Sequence, residues 1–128
     1  MFRLVSSSLA ILFLAGPVFA FSARNGMDVN AIDAQTFVVE FPSPYNEKQY
    51  LCAAGDYVIR ALGMSARTRI FRASPPPRKQ GQGITFTLDE TKKVELGMLS
   101  SFSKNKGDGG ISAGVARDNY CPRIPLFF

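Results

Sequence analysis

Only two cysteines occur in the chain, Cys52 and Cys121, and they constrain the fold more than any other feature. Joined, they close a loop of about 70 residues, which in the chain-entropy picture stabilises a fold by about 4 kcal/mol. Such a bridge ties the C-terminal part of the chain onto whatever element carries Cys52. The other use of a cysteine pair is redox chemistry, which takes a Cys-x-x-Cys spacing with its thiolate at a helix start. These two residues lack that spacing, so the pair reads as a structural disulfide. That in turn demands an oxidising compartment.

The start of the chain points to such a compartment. "MFRLVSSSLAILFLAGPVFA", residues 1–20, places Arg3 before an apolar run from Leu9 to Phe19 and interrupts that run with Gly16 and Pro17. Val18 and Ala20 then occupy the two positions that a signal peptidase reads. This is the layout of a secretory signal cleaved after Ala20. An uncleaved anchor is the alternative, because no charge falls between Arg3 and Arg24. The helix-breaking Gly-Pro leaves the run short of the roughly 20 apolar residues that a membrane span needs. With no twin-arginine pair, Sec export to a periplasmic or secreted location is expected. Residues 21–34 read as a flexible N-terminal arm, and 35–128 as a single small domain.

The local patterns of that domain are α+β. "QTFVVEF", 35–41, sets Phe37, Val39 and Phe41 on one alternating face, a strand. "SPYNEKQYLCAAGDYVIRALG", 43–63, reads as a helix. Ser43 suits its cap and Pro44 its first position, Glu47 and Arg60 suit its dipole, and Gly63 ends it. Leu51, Ala54, Val58, Ala61 and Leu62 form its apolar stripe. Gly55 falls on the same stripe, at a cost of about 1 kcal/mol against alanine, which close approach to a sheet would offset. "RTRIFRAS", 67–74, has arginines on both faces, which suits an edge strand. "PPPRKQGQG", 75–83, is a proline-rich linker. "ITFTL", 84–88, alternates with Thr85 and Thr87 outward, and pairs with "VELGM", 94–98, as a hairpin across the polar "DETKK". A short helix over 90–96 is the alternative for its second arm. Ile111, Ala113 and Val115 suggest one more short strand. The expected architecture is one main amphipathic helix on a curled antiparallel sheet of three to five strands. In it, Asp56 and Arg60 are free to face solvent.

The signal, the "CAAGDY" helix (52–57), the following "TRI" (68–70), the "FTL" strand (86–88) and the late cysteine together resemble a family of small exported alphaproteobacterial proteins. The resemblance spans most of the chain beyond the signal. It implies export and a small α+β domain, and no activity comes with it.

The chain carries little chemistry. It has no histidine, which removes the commonest general base and any Ser-His-Asp or Cys-His arrangement. A dedicated zinc site is disfavoured for the same reason, and no cofactor motif occurs. "KGDGG", 106–110, lacks the Gly-Lys-Ser/Thr ending of a phosphate loop and the alternating acids of a calcium loop. Asp56, or Asp89 with Glu90, are the candidates for a carboxylate-based hydrolase. The feature above background is charge placement. No acid occurs from Tyr57 to Leu88, a window that holds Arg60, Arg67, Arg69, Arg72, Arg78 and Lys79. These six cations exceed the whole chain's net charge of +5, so the remainder is net negative. Arg67, Arg69, Arg72, Arg78 and Lys79 are therefore the candidate surface for an acidic protein or an anionic envelope component. The bland counterpart is a solvated edge that resists aggregation. Nucleic acid is disfavoured, since only Phe71 interleaves an aromatic ring with these arginines. The expected function is a non-catalytic exported binding module. Its rival is an inhibitor or adaptor that docks on an exported enzyme through the proline loop 74–80.

Overall fold

Alternating apolar residues build the centre of one antiparallel sheet. In β3, Thr36–Val39, the side chains of Phe37 and Val39 are buried, and in β5, Ile84–Thr87, so are those of Ile84 and Phe86. Phe37 stands opposite Phe86 and Val39 opposite Ile84. Cross-strand apolar pairs of this kind contribute roughly 0.2–1 kcal/mol each. The computed structural model describes residues 20–40, 47–76, 79, 81–94 and 108–122 of the chain. In it β1 (Phe21–Ser22), β2 (Asp28–Ala31), β4 (Arg69–Arg72) and β6 (Ile111–Ser112) extend the central pair to a six-stranded sheet of order β1-β2-β3-β5-β4-β6. Every neighbouring pair is antiparallel. The fold is α+β as expected, with six strands in place of three to five.

Two helices complete it. The first, α1 (Glu47–Asp56), buries every residue from Tyr50 to Asp56. A helix resting on a sheet alone would bury one stripe; α1 is also covered by α2 (Ala113–Tyr120). At Gly55 the two helices meet. A β-carbon built there would lie 2.6 Å from the Ala113 carbonyl oxygen and 2.8 Å from the Arg117 amide nitrogen. The close approach that Gly55 permits is thus to a second helix, not to the sheet. Beyond Asp56 the helix widens into a π-helical turn, Tyr57–Ala61, whose Leu62 amide donates to the Tyr57 carbonyl. It ends at Gly63, φ +65°. Cys52 and Cys121 form the expected disulfide, with Cα atoms 4.6 Å apart, which fastens the end of α2 to the buried side of α1. The proposed caps Ser43 and Pro44 lie outside the described residues, as do residues 1–19, over which a signal is expected. No helix among the described residues is long and apolar enough to cross a membrane.

Several expectations are corrected. Part of the supposed flexible arm, 21–34, is sheet: Phe21 pairs with Val29, and Val29 with Val39. The 84–88/94–98 hairpin does not form, because β5 already has β3 on one edge and β4 on the other. After Asp89 the chain makes a 3-10 turn, Glu90–Lys92, and the Val94 amide donates to the Arg72 carbonyl; 95–98 lie outside the described residues. β4 is no edge strand, since its second half pairs with β5 and its first half with β6. The extra strand over 111–115 keeps only Ile111–Ser112. The Ser112 hydroxyl then accepts from the Val115 amide and starts α2, as an N-cap serine does. Thr87, expected outward, is buried and shares a hydroxyl hydrogen bond of 3.1 Å with Thr36.

Candidate partner-binding surface

The acid-free run is not free of acids in space. Arg72 lies in register with Phe86 on the core side of β4 and is 2% exposed. Its Nη1 is 3.6 Å from Glu47 in the first turn of α1, and its Nε donates to the Ser74 carbonyl at 2.8 Å. A buried guanidinium demands such partners, and removing one leaves an uncompensated charge. Arg72 is therefore an interior cation and no part of a surface. Arg69 grips Asp108 with two hydrogen bonds, Nε at 3.0 Å and Nη2 at 2.6 Å, and Nη2 also donates to the Gly110 carbonyl. That guanidinium, with the Gly110 amide, pulls the Asp108 pKa down to about 2. Lys93 Nζ closes the clasp on the Asp108 carbonyl at 2.6 Å.

Of Arg60 and Asp56, both free to face solvent on the sequence, Arg60 is exposed and Asp56 is not, and the two form a second clasp. Asp56 is fully buried. It accepts from Arg60 Nε at 2.7 Å and Nη2 at 2.5 Å, and from the Arg24 amide at 2.8 Å. Burial alone would push its carboxyl up, but these donors outweigh that and hold the pKa below the usual carboxylate range. Asp89, the other acid considered for catalysis, accepts from the Thr91 hydroxyl at 2.7 Å and the Thr91 amide at 3.0 Å; these bonds lower its pKa. Both acids carry their charge for a structural purpose. Among the described residues no cluster of three or more His, Cys, Asp or Glu is placed to hold a metal ion.

Of the five surface candidates, Arg78 lies outside the described residues, as does part of the proline loop 74–80, and Lys79 is exposed. Arg67 is exposed and its side chain meets no acid among the described residues. It belongs to the loop that leaves the π turn, in which Gly63 through Arg67 are all exposed. The backbone of this loop is nonetheless pinned. The Met64 amide donates to the Val58 carbonyl and the Thr68 amide to the Ser65 carbonyl, while the first turn of α2 donates from Ala113 to Thr68 and from Gly114 to Ala66, the last two at 2.8 Å. The Arg67 amide is taken by the Ser65 hydroxyl at 3.1 Å. Gly114 stands so close to Ala66 that a β-carbon there would come within 2.9 Å of the Ala66 methyl. Met64, within this loop, is 41% exposed, and Val115, the residue after Gly114, is 45% exposed. They are two of the three large apolar side chains exposed among the described residues.

The strand expected over 111–115 conceals the exposure of Val115, which lies in α2. The available signal was the serine of "ISAGVARDNY", which starts a helix and turns Val115 outward. Arg67 and Arg69 are separated by structure although close in sequence: one is free at the loop, the other locked to Asp108. Comparison of the chain with models of protein families, with curated proteins and with solved structures gives no match.

Proposed function

We propose that this chain is a non-catalytic binding module, exported as its family resemblance implies, and that it holds an acidic partner protein through the 63–68 loop and the outer side of α2. The observation that carries the reading is the contrast among its arginines. Arg60, Arg69 and Arg72 are satisfied internally, while Arg67 meets no acid among the described residues and belongs to a loop whose backbone is fixed by hydrogen bonds. A preordered loop loses little conformational entropy on binding. Exposed Met64 in the same loop, and exposed Val115 next in the chain to Gly114, whose amide is bonded to that loop, add apolar area of the sort that a partner protein covers, and methionine suits adaptable contact surfaces. An anionic glycan would offer these two side chains nothing. The depressed carboxyls of Asp56 and Asp89 favour the non-catalytic reading, since a general acid at neutral pH needs a raised pKa.

The test is chemical-shift mapping of the isotope-labelled protein titrated with short polyglutamate. Shifts are expected at 64–68 and 113–115, weakening with added salt and lost in Arg67→Glu. Shifts that ignore both salt and Arg67→Glu refute the reading.

A further inference from the structure

The residues just after Ala20 are held far more tightly than a linker requires. Phe21 pairs with Val29, and Ser22 with Asp28. The Phe21 ring meets Tyr57 edge-on at 5.6 Å, and the Arg60 guanidinium lies 4.9 Å from its centroid. Arg60 also donates to the Ser22 carbonyl at 3.4 Å. Two residues on, the Arg24 amide donates to Asp56, the carboxylate that fixes Arg60. Positions 21–24 are thus docked on one anchored unit made of Tyr57, Arg60 and buried Asp56. Ala20, by contrast, is exposed. The step from exposed Ala20 to docked Phe21 falls at the bond that the Val18-Phe19-Ala20 pattern marks for a signal peptidase.

We infer that the Ala20–Phe21 bond is the processing site, and that docking of β1 shuts it, so that cleavage precedes the last step of folding. The reaction is peptide hydrolysis by a signal peptidase: water adds across the amide, leaving a carboxylate on Ala20 and an α-ammonium on Phe21. A protease takes its substrate as locally opened chain on both sides of the bond. Once Phe21 and Ser22 are in the sheet, the bond is offered only by undocking them. A cut one residue later would delete the ring that covers Tyr57 and Arg60, so the sheet edge itself distinguishes the correct end from a trimmed one. This inference shares the export element of the proposed function and is independent of the Arg67 surface.

The experiment uses the full 128-residue chain in detergent, either refolded with its disulfide formed or freshly diluted from denaturant, and exposed to purified signal peptidase. Intact mass is expected to show one product beginning at Phe21. The refolded chain should be cut at least tenfold more slowly than the freshly diluted one. Phe21→Ser keeps a small residue after the bond but removes the ring; its refolded form should regain most of the lost rate, with an intact disulfide reporting that it has folded. A product beginning elsewhere, or equal rates for the refolded and diluted wild-type chains, overturns the inference. Such a failure leaves the polyglutamate titration untouched, and loss of the Arg67 effect there leaves the cleavage result standing.

Discussion

Gly55→Ala should destabilise this protein, although alanine is the better helix former by about 1 kcal/mol. The new methyl would stand 2.6 Å from the Ala113 carbonyl oxygen, 2.8 Å from the Arg117 amide nitrogen and 3.0 Å from the Ala116 β-carbon. The first two are backbone atoms, so no rotamer change relieves them and α2 must move as a body. Its freedom to do so is small. Its first turn donates to the Thr68 and Ala66 carbonyls, and the residue after its last turn is Cys121 of the disulfide. Overpacking of a filled interior costs about 1–3 kcal/mol, and a helix tethered at both ends belongs at the upper end. Subtracting the helix-propensity gain leaves a net loss of about 2 kcal/mol. For a domain of this size that is a fall in melting temperature of roughly 8–16 °C. Thermal unfolding followed by circular dichroism, with the disulfide verified by mass, reads the shift directly. Releasing one tether should soften the clash: in a Cys52→Ala/Cys121→Ala background the cost of Gly55→Ala should shrink, a non-additivity that a double-mutant cycle measures. A variant as stable as the parent, or more stable, would refute the seating of α2 on Gly55.

Three further outcomes follow from the same contacts. Replacing both cysteines by alanine should cost about 2–5 kcal/mol in denaturant unfolding, with hydrogen exchange rising first in α2 and β6, the elements that the bridge secures. The Asp108 carboxyl is depressed to about 2 by Arg69 and the Gly110 amide, so its contribution is complete above its unfolded pKa near 3.8 and disappears as pH falls towards 2. The pair is partly exposed, so the effect is ~1 kcal/mol or less, and Asp108→Asn should remove this acid-range slope while leaving neutral stability only slightly lower. Arg72→Ala, which breaks a buried pair, should cost about 3–5 kcal/mol in denaturant unfolding, and the fraction that remains folded should bind polyglutamate as the parent does. Arg67→Ala should show the reverse, with stability within about 0.5 kcal/mol and binding impaired.

The parts of the fold legible in the sequence are those in which neighbours in the chain share one environment. Phe37, Val39, Ile84 and Phe86 alternate because one face of each strand is core, and that pattern holds whichever strand lies alongside. The helix around Cys52 declares itself for the same reason. What stayed hidden depends on a second partner. α2 has no apolar stripe to detect, because the face that it buries is Ala113, Gly114 and Ala116, small residues that allow close approach to Gly55 and, at Gly114, to Ala66. The hairpin failed because strand alternation says that a residue pairs, not with what, and both edges of β5 are taken by strands that precede it in the chain, β3 and β4.

Charge shows the same limit more sharply. A run without acids suggests an unbalanced surface only if charges are balanced locally, and here they are not: Arg69 reaches across 39 positions to Asp108, and Arg72 finds Glu47 beneath the first turn of α1. Each of those cations has a structural partner and hence a structural reason to be arginine. Arg67 has neither. It sits between Ala66 and Thr68, whose carbonyls take the first amides of α2, and that first turn contains no acid. The positive end of a helix gains from a nearby anion and loses from a nearby cation. Stability alone would therefore favour a neutral or acidic residue at position 67, and the proposed function gives the arginine a use there: it would meet an acid carried by the partner.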